Sequence, residues 1–149
     1  MNHCFYSVFI NKIINSHLGN NIFRLQDENL QKLLKKGIAY HHAGLSSSDR
    51  ILIENSFRKC CFAILLCTTT LSMGVNLPAH LVIIKSTEVY RKGKTEQYDD
   101  NTMLQMTGRA GRPQFDTSGT AVIMTKSCNV VSKLNDLLFF CFNLFVQKI

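Results

Sequence analysis

Two arginines three residues apart, Arg109 and Arg112, stand in the run Gln105-Met106-Thr107-Gly108-Arg109-Ala110-Gly111-Arg112-Pro113. A guanidinium is a planar, permanently charged fork that binds phosphate or carboxylate through parallel hydrogen bonds. A helix from about residue 101 would set Gln105 and Arg109 on one face, with Arg112 continuing that face if the helix lasts so far. Gly108, Ala110 and Gly111 carry almost no side-chain bulk, so another surface can come very close to the backbone. Pro113 disfavours helical geometry at Arg112, which predicts a helix ending near Gly111 and an Arg112 that projects from a turn. The residue types leave two readings open. One is a site for a multiply charged oxyanion such as a nucleotide phosphate; the other is a solvated basic helix end whose arginines complement the helix dipole.

A second stretch, Thr68-Thr69-Thr70-Leu71-Ser72-Met73-Gly74-Val75-Asn76-Leu77-Pro78, directly follows the apolar run Phe62 to Cys67. Small hydroxyls and exposed amides at a strand end can hold a phosphate of a nucleic-acid backbone. Gly74 permits close approach, and Asn76 offers both donor and acceptor to a sugar or base edge. The same loop could equally be a helix cap and turn. His41 and His42 are adjacent, and neighbours on a strand point to opposite faces, which does not suit a shared ligand site. No cluster of carboxylates offers a metal site. Gly93-Lys94-Thr95 is not a phosphate-binding loop, because that motif needs a glycine where Glu88 stands.

The elements that must position these residues can be read in order. Cys4 to Ile10 is a weak strand-like run. A helix of about ten residues starts at Asp27, with Leu30, Leu33 and Leu34 as its apolar stripe. Ile38 to His41 reads as a short buried strand. Ser46 with Asp49 resembles a capping box opening a helix to about Lys59, on which Arg50 and Glu54 form a possible surface pair. Phe62 to Cys67, Leu81 to Ile84 and Thr120 to Met124 are unbroken apolar strands covered on both faces. Helices alternating with buried strands indicate an α/β fold with a mainly parallel sheet, whose ligands gather at strand carboxyl ends. The loops starting at His42, Thr68 and Ser86 sit at such ends. Residues 91–100 read as a charged surface excursion. The run Leu137 to Val146 is too short to cross a membrane, and is either a buried helix or a terminus whose partner is missing.

Composition agrees with a globular domain: 149 residues, 46% hydrophobic and 18% charged. The net charge of +7 favours a polyanionic partner such as nucleic acid. The six cysteines include no C-x-x-C pair and read as reduced, buried thiols of an intracellular protein. No secretory signal is recognisable at the N-terminus.

In this order and spacing the stretches resemble the second RecA-like domain of superfamily 2 helicases, in the Ski-like DExH branch. His41-His42-Ala43-Gly44-Leu45 with Asp49-Arg50 resembles motif IVa, Thr68 to Pro78 motif V, and Gln105 to Arg112 motif VI. The extension Pro113-Gln114-Phe115-Asp116-Thr117 with Thr120 to Thr125 is most similar to the meiotic crossover DNA helicases; Brr-type spliceosomal RNA helicases carry a similar one. The resemblance implies a RecA-like α/β domain over residues 25–126, with a poorly matched segment 1–24 before it and an unmatched tail 127–149 after it. It implies that Arg109 and Arg112 are arginine fingers reaching the γ-phosphate of ATP, with Gln105 beside them. Gly74, Asn76 and Gly108 would lie near the nucleotide. Thr68 and Thr69 would touch a phosphate of the bound strand, and His42 and Arg50 would line its path. The implied partners are DNA and the first RecA-like domain, which would hold the ATP magnesium ion, in a nuclear enzyme of 3′–5′ polarity without membrane association. The phosphate-loop lysine and DExH box of that first domain are not in this chain, which therefore reads as a fragment, inert alone as an ATPase. A non-catalytic module that binds nucleic acid or a partner protein, or the lobe of a Brr-type RNA helicase, is the alternative.

Overall fold

The computed structural model describes residues 7–10, 24–68, 76–91, 93–112, 116–126 and 144–148. The chain enters with β1 (Ser7–Ile10) and reaches α1 (Glu28–Leu34) through Asp27, whose Oδ1 accepts from the amides of Asn29 and Leu30 at 2.9 and 3.0 Å. Gly37, at φ +76°, turns the chain into β2 (Ile38–His41). Ser46 then caps α2 (Ser47–Arg58), its Oγ accepting from the Asp49 amide at 3.1 Å. Only half of the expected capping box forms. The buried Asp49 carboxylate turns instead to the backbone amides of Gln26 and Asp27, at 3.0 to 3.2 Å, and so ties the start of α1 to α2.

After α2 come β3 (Ile64–Cys67), β4 (Leu81–Ile84) and a hairpin of β5 (Glu88–Arg91) and β6 (Lys94–Gln97). That hairpin covers most of the stretch expected as a charged surface excursion. Its turn contains Gly93 at φ +82°. Next is α3 (Asp100–Thr107), capped by Asp99 and ending at Gly108, several residues earlier than the sequence suggests. The chain continues through β7 (Thr120–Thr125) to β8 (Leu144–Lys148). Residues 144–148 are thus a strand, so the end of the Leu137 to Val146 run is not the buried helix that was one of its two readings; residues 137–143 lie outside the described residues.

The main sheet has six strands in the order β2-β3-β1-β4-β7-β8. Its pairings are parallel except at β1, which lies antiparallel between β3 and β4. Since β3 and β4 both oppose β1, the strands β2, β3, β4, β7 and β8 share one direction. The sheet is therefore mainly parallel with one reversed central strand. Phe9 of β1 is buried to 1% exposure, and Leu65, Cys67, Val82 and Ile84 on its two neighbours are fully buried. Leu30 and Leu34 of α1, Ile53 and Phe57 of α2, and Met103 and Met106 of α3 belong to the same core.

Candidate functional site

The common strand direction divides the candidate residues between two edges of the sheet. At the carboxyl edge, β2 and β3 end side by side in register (His41 with Cys67), and the Thr68 amide donates to the His41 carbonyl at 3.2 Å. His42 follows at once, and α2 starts from the same end, which places Arg50 there too. The His42 ring is mostly buried. It stacks on Tyr40 with centroids 5.4 Å apart, and its Nδ1 accepts from the Gly44 amide at 3.1 Å. Its role here is to shape the turn into α2. Tyr40 in turn donates to Asp27 Oδ2 at 2.7 Å; burial and that carboxylate push the phenol pKa well up.

His41 faces the other way, as alternation on a strand requires, and its Nε2 meets Glu54 Oε1 at 2.8 Å. The expected Arg50–Glu54 pair is thus replaced by His41–Glu54. The β5–β6 hairpin leaves from the carboxyl end of β4. Its base is pinned by a 2.8 Å contact between the Thr87 and Thr125 hydroxyls and by Lys126 Nζ to Glu88 at 2.8 Å. It carries Tyr90, 69% exposed, a feature the sequence reading did not single out.

The arginine motif lies at the opposite edge, at the amino ends of β4 and β7. The Ala79 amide donates to the Arg109 carbonyl at 2.9 Å and the Gly111 amide to the Ala79 carbonyl at 2.7 Å, forming a short parallel bridge at Ala79 and Ala110. The end of the Thr68–Pro78 stretch and the arginine turn are therefore joined through the backbone. They are joined by side chains as well: Arg109 Nη1 donates to Asn76 Oδ1 at 2.9 Å at the surface. Gln105 is exposed in the last turn of α3. Because α3 stops at Thr107, Arg109 is placed by Ala79 and not by the helix face it was expected to share with Gln105. Gly108 caps that helix; a side chain there would bring Cβ to 2.9 Å from the Leu104 carbonyl oxygen.

The small residues do admit a close surface, and it belongs to the same chain. Gly111, at φ +95°, packs against Gly119, and a Cβ on Gly119 would lie 2.3 Å from the Ala110 oxygen. Arg112 does not project. It is 5% exposed, and its Nε and Nη2 form a bidentate pair with Asp116 at 2.8 and 3.0 Å. Its backbone amide also donates to Asp116 at 3.1 Å, and Nη1 reaches Cys60 Sγ at 3.5 Å. His80 Nδ1 adds a contact to Asp116 at 3.2 Å. The turn drives Arg112 inward, where a guanidinium out of water requires a carboxylate. The Arg112 hydrogen bonds hold the Asp116 carboxyl down to about 2, against the opposing effect of burial. Cys60 is itself unusual, a non-glycine at φ +56° ending α2, with the Cys60 and Cys61 amides donating to Phe57 and Ser56 carbonyls. Asp116, His80 and Cys60 were not singled out as site residues; the four-residue step from Arg112 to Asp116 was the available signal. Thr69 and Gly74 lie outside the described residues.

Among the described residues no group of three His, Cys, Asp or Glu side chains could hold a metal, and no helix is long and apolar enough to cross a membrane. The residues at the amino edge, one surface guanidinium beside an amide, fit the phosphates of a nucleotide.

Comparison with known proteins gives the family. Residues 8–114 match the helicase conserved C-terminal domain. The chain is 55% identical over 104 residues to a human protein described as probable ATP-dependent DNA helicase HFM1, covering 70% of this chain and 7% of that protein. It is 52% identical over 101 residues to ATP-dependent DNA helicase MER3 of Saccharomyces cerevisiae, covering 68% of this chain and 8% of the other. Activating signal cointegrator 1 complex subunit 3 of Dictyostelium discoideum is 53% identical over 104 residues, covering 68% and 5%. The chain thus spans less than a tenth of the length of these relatives. With the arginine turn, the Thr68 strand end and a mainly parallel α/β sheet arranged as described, the chain belongs to the helicase conserved C-terminal domain family, as a motor lobe of the RecA-like type.

Proposed function

We propose that this lobe serves an ATP-dependent DNA helicase of the meiotic crossover type, nuclear and of 3′–5′ polarity, and that it acts by closing on ATP held by a first RecA-like lobe. The observation that carries the reading is the division of candidate residues between two edges of the sheet. Thr68 and Arg50 stand at the carboxyl edge, suited to a backbone phosphate, with His42 shaping the turn between them. Asn76, Gln105 and Arg109 stand at the amino edge, suited to a nucleotide. Two similar DNA-helicase relatives support DNA over RNA. ATP would supply a γ-phosphoryl group whose transfer develops charge, with magnesium held by the first lobe. Arg109 would neutralise that charge, a contribution of ~10³–10⁵ in rate for an arginine finger. Arg112, held by Asp116, would fix the turn that carries Arg109. Thr69 and Gly74 would join the strand and nucleotide contacts respectively.

Titration of the 149-residue chain with a single-stranded oligonucleotide tests the carboxyl edge. Affinity should fall steeply as salt rises, with a slope of about 0.7 per phosphate contacted. Affinity that stays flat between low and physiological salt would contradict the reading. The same chain should show no ATP hydrolysis above background, and arginine-dependent turnover by it would contradict the two-lobe arrangement.

A further inference from the structure

Glu54 stands four residues beyond Arg50 on α2, the spacing at which a helix brings a carboxylate against a guanidinium. The fold gives that carboxylate to another partner. His41, at the carboxyl end of β2, places Nε2 2.8 Å from Glu54 Oε1. His41 is 3% exposed and the Glu54 side chain 17%, so salt and water compete poorly for the pair. An ionised carboxylate only accepts, so Nε2 carries the proton. Among the described residues Arg50 then has no carboxylate. Its Nη2 meets Ser47 Oγ at a long 3.3 Å, and its Nε is buried without a partner. A guanidinium whose charge no described carboxylate meets is thus held at the edge where β2 ends at His41 and β3 at Cys67.

We propose that His41 is a positioning residue for nucleic-acid binding: by holding Glu54 it keeps Arg50 open for a phosphate of the bound strand. The proposal rests on the strand-binding reading of the carboxyl edge. Without His41, the helix returns the Glu54 carboxylate to Arg50, where it neutralises the guanidinium and repels a phosphate.

The test is binding of the 149-residue chain to a fluorescent oligothymidine, followed by anisotropy across a salt series, with circular dichroism to establish folding. His41→Asn should weaken binding by at least about twofold, the equivalent of one exposed helical ion pair. Its salt slope should become shallower by up to about 0.7, one phosphate contact. Adding Glu54→Gln should restore both, which a merely structural role for His41 would not allow. In an Arg50→Gln background, already weakened, His41→Asn should add nothing. Glu54→Asp is a second route that leaves β2 intact: the shorter carboxylate loses His41 and keeps its charge, and binding should weaken as with His41→Asn. Unchanged binding by folded His41→Asn or Glu54→Asp, or failure of Glu54→Gln to rescue, overturns the proposal and leaves the strand-binding reading standing. Absence of salt-sensitive binding in the unaltered chain overturns both.

Discussion

A guanidinium removed from water must have its charge and its N–H groups met, and Asp116 supplies the opposite charge for Arg112 and accepts from its Nε and Nη2. Taking away one partner of such a pair strands the other. Asp116→Ala is therefore expected to lower unfolding stability by about 3 kcal/mol or more in chemical denaturation. Arg109→Gln, which breaks a surface contact with Asn76, should lower it by less than about 1 kcal/mol. The two arginines of one short motif should thus separate by denaturation alone. Acid should act through the same pair. Asp116 titrates near 2 in the folded lobe, below its ordinary value of 3.8, so its charged form favours the fold. That contribution is complete above about pH 4 and is lost as pH falls from 4 towards 2. In Asp116→Ala this part of the acid dependence should be missing from a stability-versus-pH series.

At the scale of elements, the arginine turn is held by backbone packed on backbone. Gly119→Ala would put a methyl group 2.3 Å from the Ala110 oxygen, where no flexible side chain can yield. The variant should lose about 2 kcal/mol or more and several degrees in Tm, read by thermal melting. What the sequence made legible at this scale was local. Asp27 and Ser46 mark helix starts because their side chains cap amides two or three residues away, and the apolar runs at 38–41, 64–67, 81–84 and 120–125 became parallel strands of the sheet. What it hid depended on distant partners. Glu54 has Arg50 one turn away in sequence but takes His41, thirteen residues back on another element. Arg112 was read as a surface cation, because nothing local announces that the turn buries it against Cys60, fifty-two residues earlier. The reversed insertion of β1 escaped for the same reason: its four residues carry no mark of direction.

For the whole lobe, the sheet extends to both ends of the chain. β8 pairs with β7 from Ala121–Leu144 to Thr125–Lys148, so truncation after Lys126 would uncover a strand edge. The truncated lobe is expected to melt several degrees lower and to associate more readily by light scattering; an unchanged melting point would show β8 to be dispensable. Two working edges on one rigid sheet would let one lobe contact a strand and a nucleotide at once, and a helicase of two such lobes would move the first as it closes on the second. The claim on which this depends is that Arg109 faces the nucleotide. The most direct measurement is ATP hydrolysis by an enzyme that joins this lobe to a first RecA-like lobe and carries Arg109→Lys, which keeps the charge and loses the planar fork. The expected result is a kcat lowered at least roughly a hundredfold, guided by arginine-finger effects, with nucleotide-free binding of single strands nearly unchanged. Normal hydrolysis with lost strand binding would move the motif from the nucleotide cleft to the nucleic-acid track and contradict the assignment.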